Sequence, residues 1–403
     1  MSSTRRAAAR PQRSGRRPTA SQTTTCRACC APCPIWRASG RTTSSTWIAG
    51  STCRAGIAAC RPFSRFRNRK AVYRDVGVQG WYDYLGWTNP VPDERNSIRS
   101  GTALLDAERG LLVDPAADFT AIDTATVPTL HVHWNDDHPA AGVYEIAEVV
   151  DEHRLRLRPP PSADADSLSY SIGRKNYFQF RVSNAAFLVL DTRGHRSLHD
   201  EAHADDPYGM LGRTQSRWLR RTMRESDADF FFVVSSVPFS VPHGSPKQPQ
   251  KAETWTAFPE ARERLLQSFE ELDKPVFLLT GDLHNSMAIN LGENIHEYIS
   301  GPHNSPNHDL TKEGNRPPSG RFISAGRPVD IRWSSFWLGD TPGRFLRQPY
   351  YVVVQVNNVR NSPDADGDDR WVAYQQPQVV FQFYDGLTGK LAYAESVTIP
   401  TDE

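Results

Sequence analysis

The first acidic residue of this 403-residue chain is Asp75. Residues 1–74 carry 16 of the 47 Lys and Arg residues and none of the 46 Asp and Glu residues. The net charge of +1 therefore hides a basic front and a body with 31 bases against 46 acids. Cysteine shows the opposite bias. All six, Cys26, Cys29, Cys30, Cys33, Cys53 and Cys60, lie in the front, so the body needs no disulfide and must be held by its core. Long apolar runs are missing as well. The longest candidate, Phe230 to Phe239, contains Ser235, Ser236 and Pro238. That falls short of the ~20 apolar residues a membrane-spanning helix needs. The absence of a G-x-S-x-G elbow disfavours a serine hydrolase.

The front allows several readings. A basic Ser/Thr/Arg-rich tail can bind nucleic acid or a membrane surface. Cys26-x2-Cys29 and Cys30-x2-Cys33 are zinc-like pairs, but they abut without the usual spacer loop. Arg5-Arg6 and Arg16-Arg17 are twin arginines, but no apolar core of about 7–15 residues follows them. A fourth reading is translation in the wrong frame or from a wrong start, because the stretch has neither acids nor helix or strand periodicity. Under most of these readings residues 1–69 are expected to be unfolded.

The pattern changes near Lys70. A length of 403 residues with 30 prolines and 38% hydrophobic residues suits a loop-rich soluble protein. It would form one large α/β domain with insertions, or two domains. Aromatic residues at Trp81, Tyr82, Tyr84 and Trp87 predict a helical start to the body over residues 70–99. Residues 100–175 read as a small β insertion with strands at Thr102–Leu105, Leu111–Val113, Leu130–Trp134, Val143–Val150, Leu155–Leu157 and Ser169–Ile172. Within it, Asp136-Asp137-His138 reads as a hairpin tip rather than a metal cluster.

From residue 176 the pattern is α/β. Buried strands are predicted at Phe187–Leu190, Phe230–Val234 and Val276–Thr280, with helices at Gln215–Arg224 and Pro259–Leu272 between them. Further strands follow at Ala288–Leu291, Ile295–Ser300, Tyr350–Val356, Val372–Tyr374, Val379–Tyr384 and Leu391–Val397. The acidic run from Asp364 to Asp369 lacks a Glu at the twelfth position of an EF-hand loop, so a hairpin loop is the better reading.

Three apolar strands end in polar residues: Asp191 and Arg193, Ser235 and Ser236, and then Gly281-Asp282-Leu283-His284. In α/β sheets the ligand sits at these carboxyl ends. On an extended segment Asp282 and His284 point the same way and could hold one metal ion. Carboxylate and imidazole for a metal, with an Arg for anionic oxygens, is the chemistry of metal-assisted phosphoester hydrolysis.

These motifs also occur in a familiar order. Leu190-Asp191-Thr192-Arg193-Gly194-His195-Arg196 comes first, then Leu211-Gly212-Arg213-Thr214-Gln215-x2-Trp218-Leu219. Val233-Val234-Ser235-Ser236-Val237-Pro238 follows, then Trp255 ahead of Glu263-Arg264-Leu265-Leu266, and Leu279-Thr280-Gly281-Asp282-Leu283-His284. Over roughly residues 180–310, and more loosely 70–400, the chain resembles the alkaline phosphatase D (PhoD-like) metallophosphatases, a branch of the calcineurin-like phosphoesterases.

The resemblance implies a metallophosphatase-like α/β/β/α sandwich. It implies metal ligands at Asp282 and His284, with iron and calcium as the usual ions, and hydrolysis of phosphomonoesters or phosphodiesters. Members are often exported. Arg193 is then a candidate phosphate contact and His303 a candidate ligand or acid. The substrate would be a small phosphate ester, with nucleic acid entering only as a diester. The family's upstream motifs, of Gly-Asp-x-x-Tyr and Asp-Asp-His-Glu type, have no match in residues 1–70, so the sandwich is expected to be incomplete on its N-terminal side. Two-metal chemistry needs ligands from both halves of a site. If the front is the true reading frame, little or no turnover of a nitrophenyl phosphodiester is expected, and the alternative is a catalytically silent product of the same fold. A third reading makes the basic, Cys-rich front a zinc- or nucleic-acid-binding module.

Overall fold

Two aliphatic-aromatic runs, Phe230–Val234 and Val276–Thr280, form the centre of the molecule, and every side chain in them but Val234 and Leu279 is buried. Strands buried on both faces belong in a covered parallel sheet. The computed structural model describes residues 99–124, 129–132, 138–172, 177–197, 206–244, 254–335, 347–357 and 376–399. The cysteine pairs, the aromatic segment 70–89, Asp136, Asp137, the Asp364–Asp369 run and the strand expected at 372–374 lie outside these residues.

The first six strands are β1 (Arg99–Asp106), β2 (Leu111–Val113), β3 (Thr129–Val132), β4 (Gly142–Asp151), β5 (Arg154–Arg158) and β6 (Ala165–Ile172). They close an antiparallel barrel in the order β1-β2-β5-β4-β3-β6. Closure leaves no unpaired edge. Strand β5, Arg-Leu-Arg-Leu-Arg, shows how the sequence sets the wall: the leucines point in and the arginines out. Leu105, Leu112, Phe119, Leu130, Leu155 and Ile172 fill the interior.

The main sheet contains β7 (Phe178–Val182), β8 (Ala185–Val189), β9 (Phe230–Val234), β10 (Val276–Thr280), β11 (Met287–Asn290), β12 (Ile295–Ile299), β13 (Gly320–Ser324) and β14 (Arg327–Ser334). Their order is β13-β14-β11-β12-β10-β9-β8-β7. Strands β8, β9, β10 and β12 are parallel, and the flanking strands pair antiparallel. Helix α1 (Gly212–Glu225) connects β8 to β9, and α2 (Pro259–Glu270) connects β9 to β10. Gln215, Leu219 and Met223 recur at four-residue steps on the buried side of α1, while its arginines face out, as the sequence predicts.

Both helices pack on one face of the sheet, against Leu188, Phe231, Val233, Leu278 and Ile289. The other face, with Phe230, Phe232, Phe277 and Tyr298, meets a second sheet. That sheet consists of β15 (Tyr350–Asn357), β16 (Gln378–Asp385) and β17 (Leu391–Thr398), and it contributes Val379, Phe381 and Phe383 to the contact. The Phe277 ring lies 5.0 Å from Phe232 and 5.1 Å from Phe381. The described residues thus form a mixed, β-rich fold of helices on a sheet on a sheet, with a small barrel. Strands β13 and β14 were not foreseen. Prolines 317, 318 and 328 and Gly326 interrupt that stretch, and its outward residues Arg321 and Arg332 make it read as loop.

Central strand β12 also buries an imidazole. His296 contacts Asn290 Oδ1 through Nδ1 at 3.0 Å, and burial pushes its pKa down to about 4. The unfolded chain takes up this proton near pH 6.5, before the folded one does. His296 therefore contributes stability above pH 6.5, and that contribution is lost as the pH falls towards 4. Between pH 7 and pH 5 the parent is expected to lose about 2 kcal/mol more stability than His296→Gln, measured by urea unfolding. An equal loss in both proteins would rule out His296 as the source.

Candidate functional site

The parallel strands deliver their following loops to one edge of the sheet. After β8, Asp191 is buried and locked in place. Its Oδ1 accepts the backbone N–H groups of Arg193 (2.9 Å) and Gly194 (2.6 Å). Gln215 of α1 clasps it from behind: Gln215 Oε1 accepts the Asp191 N–H at 2.8 Å, and its Nε2 donates to the Asp191 carbonyl at 2.9 Å. This accounts for the Gln of the Leu-Gly-x-x-Gln motif. His195 Nε2 lies 3.8 Å from Asp191 Oδ2.

The barrel grips the same loop. His131 Nε2 meets the Gly194 carbonyl at 2.7 Å, and Thr129 Oγ1 meets His195 Nδ1 at 2.5 Å. Glu145 Oε1 accepts the Thr214 N–H at 2.6 Å, so a barrel carboxylate caps the start of α1.

After β9, Ser235 Oγ accepts the indole N–H of buried Trp255 at 3.1 Å and donates to the Val237 carbonyl. Thr192 and Ser236 hydroxyls join the β8 and β9 loops. The chain then passes between two buried ionisable groups. Glu297 of β12 accepts the N–H groups of Phe239 (2.7 Å) and Ser240 (2.9 Å) and the Thr280 hydroxyl (2.9 Å). Arg262 of α2 donates to the carbonyls of Phe239, Ser324 and Ala325. Burial pulls the Arg262 guanidinium down to about 10, still charged at neutral pH, and pushes the Glu297 carboxyl up. This segment ends at His243.

After β10, the backbone does not stay extended. Asp282 has φ +68° and Leu283 N–H closes onto the Gly281 carbonyl at 2.9 Å. This is a three-residue turn of the rare positive-φ kind. The same-side geometry expected of an extended Asp-x-His is therefore corrected: Asp282 and His284 turn to different neighbours. Asp282 Oδ2 meets His243 Nδ1 at 3.0 Å, with both side chains buried. His284 Nδ1 meets the Pro306 carbonyl at 2.7 Å, and its ring stacks on His308 at 4.1 Å. His308 in turn lies 4.9 Å from the His243 ring.

A polar frame supports these rings. Glu313 pairs with buried Arg316 (2.6 Å), accepts from Asn285 Nδ2 (2.7 Å) and lies 3.5 Å from His308 Nδ1. Burial pulls the Glu313 carboxyl up, but His308 and Arg316 together outweigh it and hold the group below the usual carboxylate range. Burial lowers His308, and burial with the neighbouring His308 lowers His284 to about 4. Both imidazoles are neutral at physiological pH.

The loop after β12 closes the site. Gly301 N–H donates to Ser286 Oγ at 2.8 Å, and an added Cβ there would sit 2.9 Å from the Asn285 backbone carbon. Farther along, His303 is exposed, whereas His308 of the same loop is buried against His284. Arg193 is half-buried in the β8 loop, with its N–H on Asp191. The sequence motifs alone do not mark His243, Glu313 or Glu297, whereas His308 stands in the polar run Gly301–His308. Glu297 was the findable one, because it alternates with Ile295 and Ile299 on one face of the expected strand, where an apolar residue would be the rule.

The donor chemistry suits a metal ion. A neutral imidazole whose Nδ1 is spent on a carbonyl has Nε2 left to ligate, and this is how metal-binding histidines are commonly oriented. Nitrogen donors favour iron or zinc over calcium, which takes oxygen. Among the described residues, however, no three His, Cys, Asp or Glu side chains are gathered as a metal centre.

Residues 160–319 match the family model of the PhoD-like phosphatases. No curated protein matches. A solved structure described as "Structure of PhoD" aligns at 20% identity and a TM-score of 0.33, covering 57% of this chain and 45% of that one. The chain thus spans less than half the length of that relative. The Asp191 loop, the Gln215 clasp, Trp255 and the Asp282 turn all fall inside the matched stretch, so the part of the chain that carries the candidate site is the part similar to the PhoD-like phosphatases.

Proposed function

We propose that this chain is a metal-dependent hydrolase of phosphomonoesters or phosphodiesters, with nucleic acid a substrate only as a diester. The observation that supports this most is the Asp282 turn. A carboxylate is held in a sparsely populated backbone conformation at the carboxyl end of a central parallel strand, against a buried histidine. Such conformations cost about 1–3 kcal/mol and persist where function needs the resulting geometry.

Asp282 and His284 would be the ligands. A bound divalent or trivalent ion would polarise a phosphoryl oxygen and lower the pKa of a coordinated water. His243 holds the Asp282 carboxylate in orientation, and the Pro306 carbonyl does the same for His284. Arg193 would take the non-bridging oxygens as a fork. His303, on the exposed loop, would act as a ligand or an acid. The α/β/β/α sandwich would then be incomplete on its N-terminal side. In this reading residues 1–69 stand apart, 70–99 begin the domain, 100–175 are an insertion and 176–403 the phosphatase-like part.

A second reading, a silent member of the family, is favoured by the missing three-donor cluster among the described residues. The two separate in one experiment. The full chain is assayed on nitrophenyl phosphomonoester and phosphodiester with iron, calcium, zinc or manganese added. Under the hydrolase reading, metal-stimulated turnover is expected. Turnover at the blank rate with every ion would leave only the silent reading.

A further inference from the structure

The solvent face of α1 carries a charge that the rest of the body does not. Beyond residue 74 the chain has more acids than bases, yet the 14 residues of α1 contain Arg213, Arg217, Arg220, Arg221 and Arg224 against a single Glu225. Arg213, Arg217, Arg221 and Arg224 are exposed. Arg221 pairs with Glu225 at 2.9 Å, and Arg213 lies 4.4 Å over the Tyr208 ring, a contact that leaves its charge in place. Arg217 and Arg224 have no ion pair among the described residues. Arg220 lines a groove beside α2 together with Glu260, Glu263, Arg264 and Glu271.

This arrangement costs the helix stability. Like charges three or four residues apart repel by about 0.2–0.5 kcal/mol per pair. A cation in the first turn, where Arg213 sits, opposes the helix dipole. The row is also regular. Residues four apart rise about 6 Å along the axis, so the exposed arginines run roughly 16 Å in one line. The line starts at the site, because Gln215 in the first turn clasps Asp191. Guanidinium forks suit phosphodiester oxygens.

We infer that this row binds the backbone of single-stranded nucleic acid and leads it to the strand-end site. A straight single row fits one strand rather than the two faces of a duplex. The inference deepens the phosphate-ester reading by naming a polymeric diester as the substrate class.

The test measures binding of labelled oligothymidylate by the full chain in excess chelator, across a salt series, so no turnover is needed. The basic front contributes equally to parent and variants. Each phosphate contact adds about 0.7 to the slope of log affinity against log salt for single strands. The triple variant Arg213→Gln, Arg217→Gln, Arg224→Gln is expected to lower that slope by about 2, and the matching Arg→Lys triple to restore it. Turnover of the small nitrophenyl diester is expected to be unchanged in the Gln triple, so absent turnover with a changed slope would sink the hydrolase reading and leave the binding row standing. Equal slopes in folded parent and Gln triple would overturn the inference. So would a row-dependent slope seen with inorganic polyphosphate but not with oligothymidylate.

Discussion

Asp282→Asn is expected to cut metal-stimulated hydrolysis of a nitrophenyl phosphodiester at least about a hundredfold. Losing an outer partner of a metal ligand already costs about 10–100-fold, and loss of the charged donor itself removes more. Asn is the informative replacement. Asp282 sits at φ +68°, where Asn is tolerated almost as well as Asp but Ala adds strain. Asn also keeps an oxygen that can accept from His243. A fall in turnover with an unchanged melting temperature therefore reports the carboxylate and not the turn. Metal content of the purified protein should fall in parallel. If Asp282→Asn keeps turnover within threefold of the parent, Asp282 is not a ligand. His284→Ala should behave like Asp282→Asn.

Glu297→Ala should cost about 2–6 kcal/mol of unfolding free energy, because it leaves two enclosed N–H groups unsatisfied at about 1–3 kcal/mol each. The reason lies in what Glu297 satisfies. It accepts two backbone N–H groups and a hydroxyl in an enclosed place, and Arg262 holds the same segment from the carbonyl side. Without the carboxylate, the Phe239 and Ser240 N–H groups lose their partner. Glu297→Gln keeps the volume and part of the bonding, so a smaller loss of about 1–3 kcal/mol is expected. The pH trend has a definite sign. Burial raises the folded pKa of Glu297 above its unfolded value, so the folded state holds the proton longer and the group's contribution falls as pH rises above about 4.5. The stability gap between parent and the Gln variant should narrow from pH 5 to pH 8. Chemical denaturation at several pH values reads both effects, and a cost for Glu297→Ala below 1 kcal/mol would remove the clamp from the account.

Most of the sheet is legible in the sequence because its central strands are unbroken apolar runs. Phe230–Val234 and Val276–Thr280 stand where the residues place them, and so do α1 and α2, with their buried faces at helical spacing. The barrel strands could be read from alternation, as in Arg-Leu-Arg-Leu-Arg. What could not be read is pairing at long range. Nothing local says that β12 lies beside β10, or that Thr129 and His131 reach a loop more than sixty residues away. The site was legible by the same measure. Asp282 and His284 follow a strong strand and announce themselves. His243 and His308 sit in Pro-rich loops without periodicity, and only the tertiary fold brings their rings together. The turn at Asp282 was also hidden, since a positive φ at an Asp depends on its surroundings.

The hold of the barrel on the sheet bears on how this protein can be divided. A shortened chain beginning at Tyr177 would strip His131 from the buried Gly194 carbonyl and Glu145 from the first turn of α1. The loop that carries Asp191 and Arg193 would then lose its outer wall, although every residue of the loop was still present. The family pattern itself begins at residue 160, inside the barrel's last turn of chain. Recombination that exchanged the barrel for another module would have to supply replacements for at least these two contacts. Barrel and sheet are in that sense a joint inheritance.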